Sequence, residues 1–210
     1  MKKSFILFLF CNISILSFAQ INAITDSGEP VTLRLDGTWS YASKDTTPAK
    51  EIATNPTPFT KSNSNSFLLK STKAKIGVWL DPKKWSFKKA MNNEAAEYEL
   101  QLKDGDLYGM LITEQIEIPL EFLRKQALEN AKSVAPDAMI IKEEYRTVNG
   151  LKVLLLQLNG TTEGIKFSYY GYYYSNENGT VQFVTYTASK LLSKYQKTSE
   201  DILNGLVLLD

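Results

Sequence analysis

The sequence contains no histidine and a single cysteine, Cys11. These counts exclude a Ser-His-Asp triad, a Cys-His dyad and a zinc site built with imidazole. The glycine-rich patterns G-x-x-x-x-G-K-[ST] and G-x-G-x-x-G, which bind nucleotide phosphates, are also missing. Basic residues number 24 against 23 acidic ones, so nothing in the charge predicts a nucleic-acid partner. Only carboxylate chemistry remains, and we expect neither a cofactor nor a metal ion.

The first twenty residues have the pattern of a secretory signal peptide. Two lysines at 2–3 precede an apolar run at 5–16, and this run is too short to predict a membrane span. Small residues stand at the −3 and −1 positions of the site before Gln20, with Ala23 as the second choice for cleavage. A retained N-terminal anchor is the alternative. We therefore expect export to the periplasm or beyond, with no transmembrane segment after cleavage.

Removal of residues 1–19 also removes Cys11 and both early lysines. The mature chain then has a net charge of −1 and no cysteine, so it can form no disulfide. A secreted domain without disulfides must be stabilised by its own hydrophobic core. A domain of about 145 residues can bury enough apolar surface for this.

Residues 20–42 contain two short extended runs around turn signals at 26–28 and 36–37, which is the size of a β-hairpin. The second run resembles a segment found near the start of many bacterial envelope proteins, V-x-L-x-x-D-G-T-W-x-Y. The matching residues are Val31, Leu33, Asp36, Gly37, Thr38, Trp39 and Tyr41. An isolated hairpin is marginally stable in water, so this segment either docks on the main domain or a partner, or stays loosely ordered.

Residues 43–66 are rich in Thr, Ser and Asn, contain Pro48, Pro56 and Pro58, and show no apolar periodicity. This composition is typical of a disordered linker. The pattern of one compact domain begins at Phe67. The predicted organisation is a signal peptide at 1–19, a hairpin segment at 20–42, a linker at 43–66 and an α/β domain at 67–210.

Apolar periodicity predicts the elements of this domain. Alternating side chains at 95–103 predict a strand with one buried face. Pro119 opens a helix whose apolar stripe extends to Val134. Asn149-Gly150 predicts a tight turn between two strands, the second of which is apolar on both faces and should be interior to the sheet.

The end of the chain predicts a second hairpin and a final helix. Residues 164–175 and 180–188 form two extended runs around a turn, and apolar residues from Ile202 to Leu209 then recur at helical spacing, with Ser199 as N-cap. The expected fold class is α+β, an antiparallel sheet of about six to seven strands with helices packed on its faces.

This order of elements resembles the PsbP-like family of α/β/α sandwiches. The similar parts are an apolar strand followed by Asp81-Pro82-Lys83-Lys84-Trp85, which matches the family's P-x-x-W element, the helix at 119–134, the tyrosine-rich hairpin at 169–187 and a terminal helix. Members include an extrinsic subunit of photosystem II, a nuclear-import accessory protein and many exported bacterial proteins. Most are adaptors or assembly factors, so the resemblance implies a role without catalysis.

Five tyrosines lie within the six residues 169–174. Strand alternation divides them between two faces, and exposed tyrosines favour a recognition surface because each combines a large area with a hydroxyl group. The candidate binding residues are Tyr170, Tyr172, Tyr174, Trp79 and Trp85. The alternative is that these tyrosines pack across strands against Phe183, Val184 and Tyr186.

Two runs of like charge precede the tyrosines. Eight acidic residues lie between 94 and 121 with Lys103 alone among them, which is compatible with an acid-base pair or a calcium site. The alternative is a solvated sheet face that carries Glu97 and Glu99. The lysine-rich stretch at 70–89 either attracts an anionic partner or lies beside the acidic run and compensates it.

These observations predict an exported, non-enzymatic module that binds a protein or another component of the bacterial envelope. One alternative is a small-molecule or metal-binding protein with a carboxylate-lined pocket, which could be hydrolytic. A third hypothesis is a structural role in which the N-terminal hairpin pairs with a partner's sheet.

Overall fold

A computed structural model of the chain contains two α-helices and fourteen strands among the residues that it describes. The described residues are 21–25, 30–34, 36–41, 51–91 and 95–209. The predicted signal peptide at 1–19, the turn at 26–28, the first part of the predicted linker and Glu94 lie outside these ranges. No helix within them is long and apolar enough to cross a membrane.

The N-terminal segment forms a small antiparallel sheet with one strand more than the predicted hairpin. Its strands are β1 (Ile21–Ile24), β2 (Pro30–Leu33) and β3 (Trp39–Tyr41), with β2 in the middle.

The D-G-T-W motif makes the turn between β2 and β3. The Asp36 carboxylate accepts hydrogen bonds from the Thr38 amide at 2.9 Å and the Thr38 hydroxyl at 2.7 Å. Gly37 has a φ of 80°, which favours glycine. The turn leaves Trp39 and Tyr41 exposed, with their ring centroids 5.3 Å apart.

The remaining strands belong to two sheets, and two helices accompany them. In chain order these elements are β4 (Thr54–Phe59), β5 (Phe67–Lys70), β6 (Ile76–Leu80), β7 (Trp85–Lys89), β8 (Tyr98–Leu102), β9 (Tyr108–Glu114), α1 (Leu120–Val134), β10 (Met139–Val148), β11 (Leu151–Thr162), β12 (Ile165–Asn176), β13 (Gly179–Ala188), α2 (Leu192–Leu203) and β14 (Leu206–Leu208). The large sheet has the order β4-β10-β11-β12-β13-β9-β8-β7, and the small sheet has the order β14-β6-β5.

The large sheet has eight strands, more than the six to seven expected, and β4 comes from the predicted linker. β4 pairs with β10 in parallel, whereas the other neighbours are antiparallel. Pro56 and Pro58 are compatible with this position because β4 is an edge strand. A proline has no backbone N–H to donate, and at the edge of a sheet this loss interrupts no hydrogen bonds between interior strands. The prediction of a disordered linker is therefore wrong for residues 54–59, because proline-rich composition does not distinguish a linker from an edge strand.

The two faces of the large sheet bury two separate cores. On β11, Leu154 and Leu156 belong to a core with α1, whereas Val153 and Leu155 belong to a core with α2 and the small sheet. The strand is interior and apolar on both faces, as predicted. The layers are therefore α1, the large sheet, and a third layer formed by α2 with the small sheet.

The C-terminal helix differs from its prediction. α2 begins at Leu192, so Ser199 is a buried residue inside the helix and not its N-cap. Residues 206–208 pair with β6 as a strand instead of continuing the helix. Gly205 makes this possible, because a Cβ at that position would lie 1.9 Å from the Trp79 carbonyl oxygen, too close for any other residue.

Glu97 is a buried carboxylate that joins the loop after β5 to the large sheet, although the alternation had predicted a solvated position. Its Oε1 accepts hydrogen bonds from the Thr72 amide and hydroxyl at 2.6 and 2.8 Å. Its Oε2 accepts from the hydroxyls of Ser71 and Thr113. Burial raises the pKa of Glu97, but these hydrogen bonds outweigh burial and hold it below the ordinary value of 4.5.

We expect Glu97→Gln to lower the free energy of unfolding at pH 7 by about 1–3 kcal/mol, because an amide cannot accept all four hydrogen bonds. The lowered pKa means that the carboxylate's contribution is present above the ordinary pKa and is lost as pH falls through the folded pKa. Urea unfolding between pH 7 and pH 3 should therefore show the wild-type and variant curves converging on acidification. A gap that stays constant with pH would contradict this account. Glu99→Gln, at a half-exposed position, is the matched control.

Candidate functional site

The structure places the predicted tyrosine surface in the protein interior. Tyr170 and Tyr172 are 1% and 0% exposed, and Trp85 is also buried. Tyr174 and Trp79 are half-buried. A flat exposed face formed by Tyr170, Tyr172 and Tyr174 is therefore excluded. The alternative of cross-strand packing is correct for this face, since Tyr172 pairs with Phe183 in the same core.

The tyrosine hydroxyls on this buried face belong to a polar network beneath α2. The Tyr170 hydroxyl donates to Glu200 at 2.6 Å, and the Tyr172 hydroxyl donates to Asn204 at 2.9 Å. Arg146 on β10 donates from its Nη1 to the Tyr172 hydroxyl at 3.0 Å. The same side chain donates from its Nε to Glu144 at 2.6 Å.

Arg146 is the centre of this network. Its side chain is 4% exposed, and its guanidinium carbon lies 4.5 Å from the centroid of the Phe59 ring. Burial lowers the pKa of Arg146, but its interactions with Tyr172 and Glu144 outweigh burial and raise it. The cation therefore stays charged inside the protein, where its partners compensate the loss of water.

This network holds α2 and the edge strand β4 to the sheet, and the geometry gives it no room for a substrate. Each tyrosine hydroxyl and the guanidinium already have protein partners. No motif in the sequence pointed to Arg146, because its partners other than Glu144 come from three distant segments, β4, β12 and α2.

We expect Arg146→Ala to lower the free energy of unfolding by about 3–5 kcal/mol, because it leaves buried partners unpaired. Lys142→Ala is the matched control: Lys142 lies 3.4 Å from the same Glu144, but its side chain is 41% exposed. The control should lose no more than about 1 kcal/mol. Chemical denaturation of both variants measures the difference, and equal losses would show that the network is not the stabilising element proposed here.

The opposite face of the same strands is the candidate functional site. α1 packs on β10, β11 and β12 and leaves the β13-β9-β8-β7 half of this face without a helix among the described residues. We call this half, with the adjoining part of β12, the open sheet face. An α-helix is about 10–12 Å across, so one helix covers only two or three strands of about 4.8 Å spacing.

A row of half-buried aromatic rings crosses the open sheet face. Tyr169, Tyr186 and Tyr108 stand directly opposite one another on β12, β13 and β9. The Tyr108 and Tyr186 rings are stacked at 5.5 Å with an interplanar angle of 23°. Tyr169 meets Tyr186 edge-on at 5.8 Å, and Phe167 meets Tyr169 at 4.9 Å.

Two shallow depressions lie on either side of this row. The first, of about 240 Å³, lies between α1 and β9 and contains Met110, Ile112, Asn130, Tyr173 and Gln182. The second, of about 400 Å³, lies toward the β7 edge, and its lining comprises Ser86, Phe87, Lys88, Glu99, Leu100, Gln101, Tyr108 and Tyr186.

Tyr169, Tyr173 and Tyr186 on the open sheet face are neutral hydroxyl groups at physiological pH. Burial raises the pKa of Tyr169, Tyr173 and Tyr186.

The charges in the second depression compensate each other, since Lys88 and Glu99 form an ion pair at 3.1 Å. In this pair the lysine-rich stretch lies beside the acidic run and compensates its charge, which is the second of the two alternatives given for that stretch.

The acidic run does not form a metal site in the part of the chain that the structure describes. No three carboxylates there lie close enough together to hold an ion. Glu97 is occupied by its hydrogen bonds and Glu99 by its ion pair. The open sheet face therefore offers aromatic rings, amides and hydroxyls for contact with a ligand.

Sequence comparison finds no match, either among protein-family models or among curated proteins. Among solved structures, the chain is similar to cyanobacterial PsbP (CyanoP) from Synechocystis sp. PCC 6803, with a TM-score of 0.51 and 12% identity, covering 68% of this chain and 91% of that chain. At this identity the similarity concerns the fold alone. The fold expected from the PsbP-like resemblance is therefore confirmed.

Two other similar structures have TM-scores under 0.5. One is LpqN, involved in cell envelope biogenesis of Mycobacterium tuberculosis, with a TM-score of 0.46 and 11% identity, covering 69% of this chain and 90% of that chain. The other is PA94 from Pseudomonas aeruginosa, a protein of unknown function, with a TM-score of 0.44 and 14% identity, covering 69% of this chain and 97% of that chain.

Proposed function

We propose that this protein is an exported, non-enzymatic binding module of the bacterial cell envelope, and that the open sheet face is its binding site. The observation that carries the proposal is the aromatic row of Tyr169, Tyr186 and Tyr108 between two adjoining depressions on a face without a helix. Rigid aromatic side chains on a sheet give a large contact area with little entropy to lose.

Three further observations support this function. The signal-peptide pattern of residues 1–19 favours export. The PsbP fold is compatible with a module that binds without catalysis, although a fold alone does not determine a function. The chain also lacks histidine, the most frequent general base, and a carboxylate in that role would work best at neutral pH with a raised pKa. The buried Glu97 has the opposite shift.

Affinity capture from an envelope extract tests the proposal. The purified exported chain is compared with the double variant Tyr108→Ser/Tyr186→Ser and with Tyr145→Ser. Tyr145 is a half-buried tyrosine on β10, three strands from Tyr186. We expect one component, protein or glycan, to be retained by the wild type and by Tyr145→Ser and to be lost with the double variant, because only that variant removes the aromatic row.

Circular dichroism and thermal unfolding confirm that each variant is folded before capture. Equal retention by all three proteins, or retention of nothing, would contradict the assignment of the open sheet face as the binding site.

A further inference from the structure

We propose that the open sheet face binds a neutral oligosaccharide, an inference that rests on the binding function proposed above. Two polar side chains that line the first depression and have no protein partner carry it. Gln182 and Tyr173 are 7% and 3% exposed and both line the first depression. The Gln182 amide and the Tyr173 hydroxyl hydrogen-bond to no residue in the described part of the chain, in contrast to the tyrosine hydroxyls on the opposite face of β12.

The polar atoms of Gln182 and Tyr173 are not among the fully buried unpartnered ones of the described residues. They are therefore open to the depression, where water or a ligand completes their hydrogen bonds. An amide both donates and accepts hydrogen bonds, and so does a tyrosine hydroxyl. A sugar hydroxyl has the same dual capacity. Asn130 adds a second amide to the first depression, and Gln101 places another in the second.

The aromatic row supplies the other half of carbohydrate recognition. The face of an aromatic ring carries partial negative charge, and the C–H groups on one face of a pyranose ring carry partial positive charge. The Tyr108 and Tyr186 rings are stacked on each other at 5.5 Å, so the ring faces that are turned away from the stack are the ones that a sugar can contact. Tyr108 lines the second depression, where a pyranose ring can lie against it.

The charge of the site favours an uncharged ligand. Among the residues that the structure describes, no charged side chain lines the first depression, and the two charged side chains of the second, Lys88 and Glu99, neutralise each other. A phosphate-bearing polymer or lipid headgroup needs unpaired cations. An aliphatic chain would leave the amides of Gln182 and Asn130 without partners.

The dimensions indicate a chain of several sugars. From β12 to β7 the site crosses four strand spacings of about 4.8 Å, or roughly 19 Å. A monosaccharide would occupy one depression only, whereas a linear oligosaccharide would contact both depressions and the tyrosines between them.

An array of immobilised neutral oligosaccharides tests this inference with the purified exported chain as the probe. The glycan that is retained best is then titrated calorimetrically against the wild type and three variants. Gln182→Leu removes the unpartnered amide, Tyr186→Ala removes one ring of the stacked pair, and Gln101→Trp fills the second depression. We expect each to weaken the affinity at least about tenfold, and the control Tyr145→Ala to leave it unchanged.

Gln182→Leu separates binding from folding. This substitution replaces an unpartnered amide by an apolar group of similar size. The melting temperature of the variant should therefore equal or exceed that of the wild type, while its affinity for the glycan falls. Retention of no neutral oligosaccharide, or equal affinity of Gln182→Leu and the wild type, would overturn the inference. If the envelope capture still depends on Tyr108 and Tyr186 in that case, the binding function stands and only the glycan assignment fails.

Discussion

The width of the large sheet is the constraint on which the rest of the structure depends. Eight strands span about 34 Å, and a single helix on one face covers no more than two or three of them. α2 and the small sheet share the other face. The same central strand, β12, therefore has one face sealed by a third layer and another face that is only partly covered, and the chemistry of its side chains differs accordingly.

The tyrosine hydroxyls of β12 have different surroundings on the two faces. Beneath α2, Tyr170, Tyr172 and Arg146 have protein partners at 2.6 to 3.0 Å, which is typical of a network that stabilises a fold. On the open sheet face, Gln182 and Tyr173 are 7% and 3% exposed and have no such partners among the described residues. Polar groups of this kind remain available to water or another molecule, and this is the physical reason for proposing a binding site on the second face.

Much of the fold could be predicted from the sequence, because turns and periodicity are local signals. Asn149-Gly150 adopts the left-handed conformations that its hairpin requires, with φ values of 48° and 84°, and α1 occupies the predicted residues. The strand at 54–59 and the buried faces of β12 could not be predicted, because they depend on which distant segment covers them. Both faces of β12 are aromatic, so alternation separated the two sets of tyrosines without indicating which set is exposed.

Hydroxyl-radical footprinting of the folded protein tests the central claim most directly, because it measures the accessibility of individual side chains. The account predicts that Tyr108, Tyr186 and Met110 are oxidised readily, whereas Tyr170, Tyr172 and Phe183 are protected until the protein unfolds. Oxidation of Tyr170 and Tyr172 at the rate of Tyr186 would contradict it. Protection of Tyr108 and Tyr186 in the isolated chain would do the same, since the open sheet face would then be covered.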